Sequence, residues 1–160
     1  MPTDFKKTFG FDKAKAADGV WVDLGQDTHI KVAKLGTNQY QLALMRHTRK
    51  YQAQIRVNRL DPEAMADITA HTLADSILLD WKGVVEDDTP VPYNRQNAYR
   101  LLKDYSEFRL LVEQYANDPE LFQDQVDLDA DIKNSLTTSN GTSSMEETNM
   151  SSSLGSTISS

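Results

Sequence analysis

Asp61-Pro62-Glu63 sets the start of a helix: an N-cap carboxylate, a proline at the first helical position and an acid in the first turn. Apolar and small residues then recur at helical spacing to about Trp81. Ala66, Ala70, Leu73, Ile77 and Trp81 make one stripe, and Met65, Ile68, Thr72 and Leu79 a neighbouring one. Together they cover more than the usual core-facing arc, so this helix is either central to its fold or part of an oligomer contact. The same start signature returns at Asp118-Pro119-Glu120 and predicts a last helix to about Lys133.

Two further helices fit between and before these starts. Thr37 can cap a segment from Asn38 to about Val57, with Tyr40, Leu44, His47, Tyr51 and Ile55 on one stripe. Arg46, Arg49, Lys50 and Arg56 lie away from that stripe. Asn94 caps a seam of Ala98, Leu101, Tyr105, Phe108, Val112 and Tyr115, which Ser106 can divide into two helices. Lys82 to Tyr93 is a loop, because Pro90 and Pro92 exclude a helix and leave at most a short edge arm.

The N-terminal part reads differently. Val20, Val22 and Leu24 alternate with Trp21 and Asp23, the period of a half-buried strand. A turn at Gly25 to Thr28 leads to a second strand, His29 to Leu35, giving a hairpin over 20–35. Residues 1–18 are expected to be a flexible, lysine-bearing arm. From Thr137 onward fourteen of twenty-four residues are Ser or Thr, too little apolar surface to offset the entropy of ordering. The predicted fold is therefore mainly α: a helical domain over 19–136 with a small N-terminal β-hairpin, and a disordered tail over 137–160.

Composition narrows the function. The chain has 160 residues and no cysteine, which excludes disulfides, thiolate zinc sites and a cysteine nucleophile. Its N-terminus is polar and no run approaches a membrane span, so a soluble, intracellular protein without a membrane partner is expected. The net charge of −7 is unevenly spread. Residues 1–59 hold eleven Lys and Arg against five Asp; residues 60–160 hold six against nineteen acids. The halves either neutralise each other within one fold or attract copies head to tail.

Catalytic signals are missing. His29, His47 and His71 show no ligand-like spacing, and His47 on its apolar stripe is expected to be a satisfied structural residue. Asp127, Asp129 and Asp131 resemble a calcium loop, but Ile132 and Thr138 stand where that loop needs Gly and Glu. No P-loop, GxGxxG or GxSxG occurs, and the two Asn-x-Ser/Thr sequons are chance matches. No enzyme, cofactor or metal is expected. The basic, tyrosine-bearing helix suggests nucleic acid, but its tyrosines fall on the apolar stripe and the chain's pI is near 4.9, so such a partner is disfavoured.

The run from Ala74 through Leu-Leu-Asp-Trp-Lys-Gly, the acidic Glu86-Asp87-Asp88, Pro92-Tyr93-Asn94, Asn97 and Leu101-Leu102 to Asp118-Pro119-Glu120-Leu121-Phe122 resembles the tail assembly chaperones of long-tailed bacteriophages. In that family a helix ends at Trp-x-Gly, an acidic loop reaches Pro-Tyr, and a polar cap opens a leucine-rich helix pair. Gly19-Val20-Trp21-Val22 and Ile132 to Ser135 extend the likeness over about 19–136. Thr89 and Ser106 depart from it, standing near places where the family often has Gly and Pro.

The resemblance implies a non-enzymatic protein of the host cytoplasm, absent from the mature virion. It would bind the tape measure protein, keep it soluble during tail assembly, and associate with itself. Genes of this kind often yield a longer, frameshifted product, which would add the major tail protein as a partner. Trp81, Tyr93, Leu73, Ile77, Leu101 and Phe108 are the candidate partner-binding residues. Trp81 is most simply a core anchor covered by Pro92 and Tyr93, with client contact the sharper alternative. A structural or adaptor subunit of the phage particle, and a small nucleic-acid-binding protein, are the other readings.

Overall fold

The computed structural model describes residues 1–124. Most of the predicted helix to Lys133, the Asp127 to Asp131 acids and the Ser/Thr tail lie outside the described residues. The fold is mainly helical, with a small N-terminal sheet. Residues 1–18, expected as a flexible arm, form two short helices, α1 (Phe5–Phe9) and α2 (Lys13–Asp18), N-capped by Asp4 and Asp12. Ala16 is buried, and the Asp12 amide donates to the Phe122 carbonyl at 2.8 Å, which ties α2 to the body.

The hairpin forms as expected, from β1 (Val20–Gly25) and β2 (Thr28–Val32). Gln26 and Asp27 turn the chain with φ of 52° and 58°, a two-residue turn whose twist suits a hairpin. The fold adds a third strand, and this corrects the helix predicted to reach Trp81. Helix α5 (Pro62–Ser76) stops at Ser76, and β3 (Leu78–Lys82) pairs antiparallel with β2 in the order β1-β2-β3.

A bulge explains the error. Val32 pairs with Leu78 but Lys31 pairs with Asp80, so Leu79 is an extra residue on β3. Leu78 and Trp81 therefore share the buried face while standing three apart, which mimics helical spacing. The unpaired edge of β2, carrying the fully buried Ile30 and Val32, supplies the ladder that a helix could not use.

The other long helix is also interrupted. Helix α3 (Asn38–Thr48) passes through a 3-10 turn at Arg49–Tyr51 into α4 (Gln52–Arg56). The loop after β3 holds a tight two-stranded ribbon, β4 (Val85–Glu86) and β5 (Thr89–Pro90), turned by Asp87 and Asp88 with φ of 47° and 63°. The seam over 98–115 divides at Tyr105 into α6 (Arg95–Asp104) and α7 (Ser106–Ala116), the break that Ser106 allowed.

Helix α5 is central, packed by α3 and α6, which accounts for its wide apolar arc. One core joins Ile30 and Val32 of the sheet, Leu73, Ile77 and Leu78, Leu102 of α6, Val112 of α7, and Phe122. Gly83 closes the sheet end with φ of +73°, and an added Cβ would stand 2.2 Å from the Asp27 carbonyl oxygen. Gly83→Ala is expected to destabilise the fold by about 2 kcal/mol in urea unfolding. Gly25→Ala is the control, since φ is +84° there but the space is open, and it should cost about 1 kcal/mol.

Candidate functional site

Helix α3 has two faces. Its inner face carries Tyr40, Ala43 and His47 toward the body, and Tyr51 of the 3-10 turn continues that side. Helix α5 meets it with Asp67, His71 and Asp75, four residues apart and therefore on one helical face. These residues interlock. The His47 and His71 rings stack at 4.7 Å between centroids, and His71 stacks on Tyr99 of α6 at 3.7 Å. His47 Nε2 lies 2.7 Å from Asp75 Oδ2, which Arg46 also reaches at 3.2 Å.

Asp67 is the centre of the cluster and only 5% exposed. The hydroxyls of Tyr51 and Tyr99 donate to its two oxygens, and Lys50 Nζ stands 2.8 Å from Oδ2. Lys103 Nζ and His71 Nε2 approach Oδ1 at 3.6 and 3.7 Å. Burial alone would raise the carboxyl pKa; the hydrogen bonds from Lys50, Tyr99 and Tyr51 outweigh it and hold the group well below the usual carboxylate range. His71 is pushed down, chiefly by burial, which favours a neutral ring between two aromatic neighbours. The cluster ties α3, α5 and α6 together. No group of three metal-ligating side chains able to hold an ion occurs among the described residues.

The outer face of the same segment is exposed and has no cover among the described residues. Leu42 and Met45, three apart on α3, are each 61% exposed. Helix α4 has no buried residue; Ile55 within it and Val57 just after it are exposed. Ile55 belongs to the predicted inner stripe, but the 3-10 turn shifts the helical phase and turns it out. Arg49, Arg56 and Arg59 are exposed and form no ion pair among the described residues, and residues 38–59 contain no acid. The segment thus exposes four apolar side chains together with three arginines, while the Asp67 cluster holds its inner side.

The sequence-predicted partner-binding residues lie elsewhere. Leu73, Ile77, Leu101 and Trp81 are buried in the core. Trp81 Nε1 donates to the Val91 carbonyl at 2.7 Å, and its ring meets Tyr93 edge-on at 5.1 Å. Tyr93 is half-buried and its hydroxyl donates to the Leu78 carbonyl at 2.7 Å. Leu101 and Phe108 come together in a groove of about 440 Å³, with Leu24, Val84, Val85 and Tyr105. At its rim Glu86 is clamped by Arg100, at 2.6 and 3.2 Å, and by the Tyr105 hydroxyl at 2.8 Å.

Two features were missed from sequence. Asp67 and Asp75 stand four residues to either side of His71, a spacing that puts all three on one helical face and is the cluster's signal in the sequence. Leu42 and Met45 were visible only as apolar residues off the inner stripe.

Residues 35–134 match the family described as YdaY prophage protein. No curated protein and no solved structure matches the chain. No helix among the described residues is long and apolar enough to cross a membrane.

Proposed function

The chain belongs to the YdaY prophage protein family, and on that premise we propose that it is a tail assembly chaperone that binds the tape measure protein and keeps it soluble. It acts in the host cytoplasm, without a catalytic step, and leaves before the virion matures. The observation that carries this reading is the set of exposed apolar and basic side chains over residues 38–59. A tape measure is a long helix with apolar residues that would otherwise aggregate. Leu42, Met45, Ile55 and Val57 offer such a helix an apolar surface, and Arg49, Arg56 and Arg59 offer its acids a charge partner. Exposed acids elsewhere on the chain, among them Asp61, Glu63, Asp87, Asp88, Asp104 and Glu107, then keep the complex dispersed.

Co-expression with the tape measure protein of the same prophage tests this. The native chain is expected to bring the client into the soluble fraction. Leu42→Asp/Met45→Asp/Ile55→Asp, at exposed positions, should fold normally and lose roughly tenfold or more of that soluble client. A client that stays insoluble beside the native chain would overturn the proposal. The exposed arginines also favour a second reading, nucleic-acid binding, for which retention on DNA should fall steeply with salt and vanish in Arg49→Ala/Arg56→Ala/Arg59→Ala.

A further inference from the structure

The short helix α1 is unusual for what it leaves exposed. None of its residues is buried. Phe5 and Phe9 are 72% and 64% exposed, and their rings touch at 5.2 Å between centroids, forming one aromatic knob. Lys6 follows on the next part of the helix surface, about 80° round from the knob, and Lys7 lies on the far side; neither forms an ion pair among the described residues. Phe side chains left in water in this way cost solvation energy that a monomer does not recover.

The groove over Leu101 and Phe108 is the complementary surface. Its floor is apolar, with Leu24, Val84 and the exposed Val85 and Tyr105, while Gln26, Thr28, Glu86 and Asp87 line the rest; no residue of α1 lines it. Its lip is acidic. Glu86 is neutralised by Arg100, but Asp87 and Asp88 are exposed at the tip of the β4–β5 turn and carry no ion pair among the described residues. An apolar floor with an anionic lip suits an aromatic knob with a lysine beside it.

We propose that α1 of one copy docks its Phe5–Phe9 knob in the Leu101–Phe108 groove of a second copy, with Lys6 toward Asp87 and Asp88. The knob and the groove are different surfaces present on every copy, so the contact is heterologous and propagates head to tail into rings or open chains. This gives the uneven charge of the two halves a structural basis. The α3–α4 face takes no part, so self-association and client binding succeed or fail separately. An interface of this size is small, so association should grow with protein concentration rather than be complete at all concentrations.

Light scattering of the full chain over a wide concentration range reads the mass directly. The native protein should rise from its 18.0 kDa monomer mass through multiples of it. Phe5→Ser/Phe9→Ser should stay monomeric, and so should Val85→Lys, which fills the groove and repels the arm's lysines. Mixed one to one, these two variants should form a heterodimer and nothing larger, since only one intact knob and one intact groove remain. Asp87→Asn/Asp88→Asn, tolerated at positive φ, keeps the groove folded and should associate roughly fivefold more weakly, with the salt dependence reduced. A native chain that stays monomeric throughout would overturn the proposal. So would a mixture of the knob and groove variants that does not associate, or a knob variant that still dimerises.

Discussion

Trp81→Ala is expected to lower the unfolding free energy by about 4 kcal/mol, because it removes a large buried ring and leaves a cavity. Two contacts go with the ring: the hydrogen bond from Nε1 to the Val91 carbonyl and the edge-on packing against Tyr93. Both join β3 to the loop that leads into α6, so their loss also frees that loop. A small domain holds about 5–15 kcal/mol in total, so the variant should be at the margin of folding. Trp81→Phe keeps most of the packing and loses the hydrogen bond, and should cost about half as much. Urea unfolding followed by circular dichroism separates the two roles given to this residue. A Trp81→Ala chain of near-native stability that no longer binds the tape measure would establish direct contact instead.

Asp67→Ala should cost about 3 kcal/mol at neutral pH. The carboxylate, itself buried, accepts from two tyrosine hydroxyls and a lysine, and its removal leaves the half-buried Tyr51 and Tyr99 hydroxyls without their acceptor. The pH profile identifies the cause. Asp67 has a folded pKa below its unfolded value of about 3.9, so its stabilisation is complete above about pH 4 and is lost as pH falls through the folded value. His71 has a folded pKa below its unfolded value of about 6.5, so the unfolded chain takes up a proton first and stability declines as pH falls from there. The native protein should therefore lose stability in two steps, one beginning near pH 6.5 and one near pH 4. His71→Gln should remove the upper step and Asp67→Asn should flatten the lower one. A native profile that is flat between pH 7 and pH 5 would contradict the His71 assignment.

Local chemistry carried much of the fold in plain view. Asp61 accepts from the Ala64 amide and Asn94 from the Asn97 amide, both at 2.7 Å, as their places before helical seams required. The β1–β2 hairpin followed from alternation and a short polar turn. What stayed hidden depended on contacts distant in sequence. Residues 77–81 satisfy helical spacing as well as a bulged strand, and only the open edge of β2, some fifty positions away, decides for the strand. Likewise, apolar spacing identified Leu73, Ile77 and Leu101 as facing something, but not whether the cover is the chain itself or a partner. In the fold it is the chain itself: Leu73 and Ile77 lie in its core, and Leu101 reaches only the floor of the groove. The candidate client face was hard to find for the opposite reason. Leu42 and Met45 look like ordinary exceptions to a stripe until α3 is docked and nothing among the described residues covers them.

On the proposed function a helical client lies on the outer face of α3 and α4, opposite the Asp67 cluster. Amide hydrogen exchange of the chain, alone and in complex with the tape measure protein, tests it most directly. Slowed exchange should appear over residues 38–59, most strongly in α4, none of whose residues is buried. A soluble complex in which α3 and α4 exchange as they do in the free chain would contradict it.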